Sequence, residues 1–314
     1  MFKVLAPTEG LPYEDWLDYR RMGIGGSDAS VVCGINKWKS PVELWMEKTG
    51  QLPDSESGEA AYWGTVLEGL VKDEFAKRTG IEVIPVKQIL RSEEYPFMLA
   101  NIDGVCQHPI YGSCVFEAKT SSAYRESEWR DATPDEYVLQ VQHYCAVTGY
   151  MGAYIAVLIG GNTFKWKFIE RDDDLIDKLI HLERDFWQGV ENNVPPQLDG
   201  SEASAKFISE RFPDSISFSM IELPDNATDL IRQYDDACEQ VQRYTEQKTE
   251  AENLLKQMLG VNETGVAGNR IITWKSISQE RLDSKTLKAE HPILYRKYAN
   301  KTSYRRFSMK SAVA

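Results

Sequence analysis

Residues 115–119 read Val115-Phe116-Glu117-Ala118-Lys119, two charged side chains set into an apolar run. On an extended strand, alternation sends Glu117 and Lys119 to one face and Phe116 and Ala118 to the other. Two charges in such a setting are costly unless they pair with each other or meet a cation. The run therefore reads as an ion pair at a sheet edge or as part of a metal site. A second Glu-x-Lys, Glu246-Gln247-Lys248, has no strand around it and reads as a solvated helix face.

The segment before it adds a second carboxylate. Met98 to Asp103 reads as a strand ending on Asp103, and Pro109-Ile110-Tyr111-Gly112 as the turn leading into the strand 114–119. If the chain folds back there, Asp103 meets Glu117. Two carboxylates with backbone carbonyls make a hard-oxygen site suited to Mg2+, and Mn2+ suits the same donors. A lysine beside them orients or deprotonates an attacking water and stabilises charge developing at phosphorus.

Other residues surround this centre in sequence. Ala61 to Thr79 has apolar residues near the helical period (Trp63, Val66, Leu67, Leu70, Val71, Phe75), with Glu68 flanking the stripe and Gly80 as C-cap. Thr133-Pro134-Asp135-Glu136 has capping-box spacing and starts a helix to about Thr148, on which Gln140 and Tyr144 share a face. His143 on that helix reads as a helix-face residue. Gly25-Gly26-Ser27 follows Arg20 and Arg21, so a turn of backbone N–H groups, two guanidiniums and a hydroxyl form a potential phosphate pocket. No Gly-Lys-Ser/Thr follows, so this is not a nucleotide-binding loop, and ATP-driven chemistry is not expected.

Composition bounds the class. The 314 residues are 42% hydrophobic and 27% charged, which fits a folded soluble chain rather than a disordered one. No apolar stretch reaches membrane-spanning length, and the start has no secretory pattern. The five cysteines form no CxxC pair and read as small apolar residues in a reducing compartment. Net charge is −12, yet residues 275–310 carry ten Lys/Arg against three Asp/Glu. That basic tail is a candidate contact for DNA or for an acidic partner surface.

Residues 1–195 alternate helices and strands, giving an α/β or α+β domain. Residues 196–224, with Pro196, Pro213 and Pro224, read as a linker. Residues 225–314 read as a helical and basic module for assembly, partner or DNA contact. Within it Leu230, Tyr234, Ala237, Val241, Tyr244, Lys248, Ala251, Leu255 and Met258 follow a 4-3 spacing, which predicts a long helix or helical hairpin. Gly268 to Lys310 reads as β-rich or irregular.

Together the motifs resemble YqaJ-type phage recombinases, relatives of lambda exonuclease in the PD-(D/E)xK nuclease superfamily. The resemblance rests on Tyr19-Arg20-Arg21-Met22-Gly23-Ile24-Gly25-Gly26-Ser27-Asp28-Ala29, Trp38-Lys39-Ser40-Pro41, Trp63-Gly64-Thr65-Val66-Leu67-Glu68, Asn101-Ile102-Asp103-Gly104, Glu117-Ala118-Lys119-Thr120 and Gln140-Val141-Gln142-His143-Tyr144, in that order over roughly residues 13–190. It implies a restriction-endonuclease-like core, a mixed central sheet flanked by helices. It assigns Asp103, Glu117 and the Ala118 carbonyl to Mg2+, Glu68 to a second ion or its waters, and Lys119 to the nucleophilic water. Gln140 and Tyr144 would orient the site, and Ser27 with Arg20 or Arg21 would hold the 5′-phosphate end.

The implied activity is ATP-independent 5′-to-3′ digestion of one strand of linear double-stranded DNA. Its product is a 3′ single-stranded overhang for recombination by strand annealing. The implied partners are a single-strand annealing protein of the RecT or Beta type and further copies of the chain in a ring-like homo-oligomer, in the cytoplasm of a bacterial host. Two other readings stand beside it: a structure- or site-specific endonuclease on the same core, and a non-catalytic DNA-binding or assembly module.

Overall fold

In the computed structural model the chain falls into two units, Met1–Phe212 and Pro213–Ala314, and residues 2–52, 58–300 and 303–310 are described. The polar stretch 53–59, which the sequence marks as a loop, lies mostly outside the described residues. The first unit runs β1 (Phe2–Pro7), α1 (Tyr13–Arg21), α2 (Gly26–Val32), α3 (Pro41–Lys48), α4 (Glu59–Thr79), β2 (Val83–Pro85), β3 (Gln88–Ser92) and β4 (Leu99–Ala100). It continues through β5 (Gly104–His108), β6 (Gly112–Ser121), a 3-10 turn at Ala123–Trp129, α5 (Asp135–Thr148), β7 (Gly152–Ile159), β8 (Thr163–Glu170), α6 (Asp173–Glu191) and α7 (Glu202–Arg211).

The run 115–119 lies in β6, the middle strand of a five-stranded mixed sheet ordered β2-β5-β6-β7-β8. Strand β6 pairs antiparallel with β5 and parallel with β7, and α5 is the connection that a parallel pair requires. Its two faces pack differently. Cys114 and Phe116 join Val71 and Phe75 of α4, with the Phe75 and Phe116 rings 5.0 Å apart. Val115 joins Val141, Tyr144 and Cys145 of α5 in the larger core cluster. Strands β1, β3 and β4 form a separate antiparallel sheet. The mixed sheet with flanking helices is the expected fold class.

Several element ends follow from local sequence chemistry. Ser40 caps α3 by accepting from the Glu43 N–H at 3.2 Å, with Pro41 in the first turn. Gly80 and Gly149 close α4 and α5 at φ 73° and 74°. The β7–β8 hairpin turns on Gly160 and Gly161, both at positive φ.

Others are corrected. Asp103 does not end a strand: β4 stops at Ala100, and Asp103 sits in the bend just before β5, which pairs from Gly104. The capping box at Thr133 does not form, because Glu136 turns to Arg125 at 2.6 Å and Pro134 takes the N-cap position. The amphipathic stripe of α4 is buried only in its second half; Val71 and Phe75 are covered, while Trp63 and Leu70 are 51% and 54% exposed. The segment read as a linker is structured at its start. Its helix α7 buries Phe207 against Trp45 and Met46 of α3, which carries the first unit to Phe212.

The second unit holds α8 (Ala227–Leu259), the hairpin β9 (Thr264–Ala267) and β10 (Arg270–Thr273), then α9 (Ser284–Glu290) and α10 (Pro292–Tyr298). Helix α8 is a single helix, not a helical hairpin. The tail read as β-rich or irregular holds β10 and irregular chain, with two short helices that the reading did not include. Among the described residues no helix is long and apolar enough to cross a membrane.

Candidate active site

Strand alternation places Glu117 and Lys119 side by side, and Lys119 Nζ donates to Glu117 Oε1 at 2.6 Å. The β5–β6 pairing brings the bend at Asp103 alongside, where its Oδ2 accepts the Ala118 N–H at 2.7 Å. Gly104 permits the close packing of β2 on β5: a Cβ there would stand 3.0 Å from the Ile84 carbonyl oxygen. From α5, Gln140 Nε2 donates to Glu117 Oε1 at 2.7 Å and lies 3.1 Å from the Tyr144 hydroxyl. That hydroxyl donates to the Asn101 carbonyl at 3.0 Å, tying α5 to the segment carrying Asp103.

Burial sets the charge states. Glu117 is 3% exposed; burial, then the nearby Asp103 carboxylate, push its pKa up to about 8 against the pull of Lys119. Burial and Asp103 likewise push Glu68, half-buried on α4, up to about 7. Burial raises Asp103 as well. For Lys119, burial favours the neutral amine, but Glu117 and Asp103 outweigh it and raise its pKa. Its ammonium also lies 5.1 Å from the Tyr137 ring centroid. The lysine is therefore a fixed cation at neutral pH.

The donors suit a hard cation. Glu117 Oε2 is buried with no hydrogen-bond partner among the described residues, a state that costs free energy unless something else takes the oxygen. Among the described residues no three His, Cys, Asp or Glu side chains form a ready metal cage. The carboxylates brought together here are Asp103 and Glu117, and Glu68 is coupled to them electrostatically.

The Gly25-Gly26-Ser27 turn opens into the same space. A cavity of about 360 Å³ is lined by Arg20, Gly25, Gly26 and Ser27 on one side and by Glu117, Lys119, Gln140 and Tyr144 on the other. Arg20 Nη2 reaches Ser27 Oγ at 3.3 Å, with its guanidinium 5.1 Å from the Trp16 ring centroid. Arg21 instead pairs with Asp18 at 2.8 Å. So Arg20 lines this cavity and Arg21 does not, while both line a neighbouring one with Trp16 and Lys48. Gly26 is required by contact: a Cβ there would lie 2.7 Å from Tyr144 Cζ. Gly26→Ala is expected to cost about 1–3 kcal/mol of stability and to lower activity by displacing Tyr144. Chemical denaturation and a nuclease assay check this, and an unchanged unfolding midpoint would refute the contact.

Sequence reading missed two supports of this site. Asp28, 2% exposed, binds Lys48 Nζ at 2.7 Å, Arg20 Nη2 at 3.0 Å and the Gly25 N–H at 3.1 Å. The Gly25-x-x-Asp28 spacing was its signal, an N-cap with an acidic residue three on. His143, read only as a helix-face residue, is fully buried on α5. Its Nδ1 lies 2.8 Å from Glu183 Oε1 and its Nε2 2.8 Å from the Leu99 carbonyl oxygen. A carbonyl only accepts, so Nε2 carries a hydrogen, and this bond anchors β4 close to Asn101. Cys106, Cys114 and Cys145 are buried and free, but Cys238 is exposed.

Comparison with known proteins extends this picture. The YqaJ-like viral recombinase domain matches residues 15–151. The uncharacterized protein YqaJ of Bacillus subtilis (strain 168) is 44% identical over 313 residues, covering 98% of this chain and 97% of that one. Solved structures similar to it include an alkaline exonuclease (LHK-Exo) from Laribacter hongkongensis, at 19% identity and TM-score 0.47 over 64% of this chain and 98% of that one. A phage-related exonuclease from Haemophilus somnus 129PT follows, at 13% identity and TM-score 0.44 over 57% and 99%. With nearly the full length of both chains aligned to the Bacillus relative, this protein is a member of the YqaJ-like viral recombinase family.

Proposed function

We propose that the chain is a metal-dependent, ATP-independent 5′-to-3′ exonuclease that degrades one strand of linear double-stranded DNA and leaves a 3′ overhang for annealing-type recombination. One observation carries this reading. Glu117 and Lys119 line a single cavity with Arg20 and Ser27, which supports a terminal phosphate and a scissile phosphodiester held in one site. A partner that anneals the overhang, a ring-like assembly and a bacterial cytoplasmic setting belong to the same reading.

Asp103, Glu117 and the Ala118 carbonyl would hold Mg2+ or Mn2+, and Glu68 a second ion or its waters. When bound, the metal supplies Lewis-acid activation of water and of the phosphodiester. The chain's own residues do the rest. The Lys119 ammonium orients rather than deprotonates the attacking water, because its pKa is raised. It also offsets negative charge on the non-bridging oxygens. Gln140 fixes Glu117 Oε1, leaving Oε2 for the cation. Arg20 and Ser27 hold the 5′-phosphate.

Covalently closed and linear plasmid, each with Mg2+ and no ATP, test the reading: linear DNA is expected to be digested and the circle left intact. A cut circle would favour a structure- or site-specific endonuclease.

A pH dependence follows from the same carboxylates. With Glu117 and Glu68 pushed up to about 8 and 7, protons compete with the cation below those values. At limiting Mg2+ the rate is expected to climb between pH 7 and 8, and saturating Mg2+ should shift that rise to lower pH. Rate–pH profiles at two metal concentrations check this; a midpoint that ignores metal concentration would contradict it.

A further inference from the structure

Helix α8 is 33 residues long, about 50 Å at the α-helical rise, and Leu259 is its one buried residue. Leu230, Tyr234, Val241, Tyr244, Leu255 and Met258 are exposed, and with Ala237, Lys248 and Ala251 they form an unbroken 4-3 seam. The charges avoid this face. Nine of the eleven charged residues in α8 occupy the outer helical positions, and only Lys248 and Glu252 fall on the seam or its flanks. The flanks are otherwise Gln233, Gln240, Gln247 and Leu254 on one side and Ile231, Cys238 and Thr245 on the other.

Flank charges are how paired helices select a different partner. Here they are nearly absent, so an identical helix docks without like-charge repulsion. Orientation follows from Lys248. Parallel, in-register pairing would press Lys248 against its own copy inside an apolar seam. Antiparallel pairing with Val241 across from Ala251 removes that clash. It also sets Ala237 across from Leu255 and Lys248 across from Tyr244, so small residues meet larger ones and the cation meets a ring. Lys248 Nζ already lies 3.5 Å from Glu252 Oε1, so its charge enters the seam compensated. At the N-terminal end the Phe307 ring stands edge-on to Tyr234, 5.9 Å between centroids, which leaves the layers from Ala237 to Leu255 for the partner.

We infer that α8 is a self-docking surface, pairing antiparallel with α8 of a second copy in the register that opposes Val241 and Ala251. The test uses the full-length chain with Cys238→Ser as parent. Val241→Cys combined with Ala251→Cys is expected to give a disulfide-linked dimer on mild oxidation, while each single variant stays at the parent's level. In this register two copies of residue 241 are about 15 Å apart along the axis, beyond disulfide reach. Separately, Val241→Glu with Leu255→Glu is expected to halve the mass seen by light scattering. Efficient cross-linking by Val241→Cys alone would overturn the orientation. An uncross-linked double-cysteine variant with the charged variant at full mass would overturn self-docking and leave the face to another protein or to solvent.

Discussion

Replacing Lys119 by alanine is expected to slow hydrolysis of linear duplex DNA by about a thousand-fold or more, with the fold and DNA binding retained. The lysine is the fixed cation that touches Glu117 directly and is raised in pKa by both carboxylates. Removing it takes away the group that orients the water and offsets charge on the phosphorus-bound oxygens. The fold survives because Glu117, already pushed up to about 8, keeps its proton at neutral pH once its cation is gone. Single-turnover rates, thermal melting and a filter-binding assay separate these effects. A Lys119→Ala protein that cuts at the parental rate would remove Lys119 from the mechanism.

Asp28→Asn is expected to cost about 3–5 kcal/mol of stability, the penalty for stripping a buried cation of its partner. Lys48 is buried and, among the described residues, donates to Asp28 Oδ2 and the Arg20 carbonyl, both at 2.7 Å. Burial pushes the Asp28 carboxyl up, but Lys48, Arg20 and the Gly25 N–H together hold it well below the usual carboxylate range. The folded state therefore binds its proton more weakly than the unfolded one. Its stabilisation is fully present above pH about 4 and is lost as pH falls through the lower folded value. Denaturant unfolding across pH checks both parts: the gap between parent and variant should be widest at neutral pH and narrow in acid. A gap that persists unchanged in acid would contradict the ion-pair origin.

What was legible in the sequence was local. Period-two alternation exposed the anomaly at 117 and 119, and Ser40-Pro41, Gly80 and Gly160-Gly161 marked their element ends. Asp103 was found through its chemistry but placed on the wrong element, because no pattern shows that β4 stops at Ala100 and that β5 begins at Gly104. Thr133 and Glu136 had capping-box spacing, yet Arg125 competed for the carboxylate across the chain. The Asp28–Lys48 and His143–Glu183 pairs span 20 and 40 residues, and nothing local signals contacts of that kind. Trp63 and Leu70 obeyed the helical period but found no core to enter, since α4 meets the sheet only through its second half.

The most direct measurement is strand-resolved digestion of a linear duplex with one 5′-phosphorylated and one 5′-hydroxyl end, with Mg2+ and without ATP. Loss of the strand that begins at the phosphorylated end, with the other strand spared, is expected from a cavity shared by the carboxylate–lysine centre and the Arg20–Ser27 turn. Equal loss from both ends, or internal cutting before either end recedes, would contradict it.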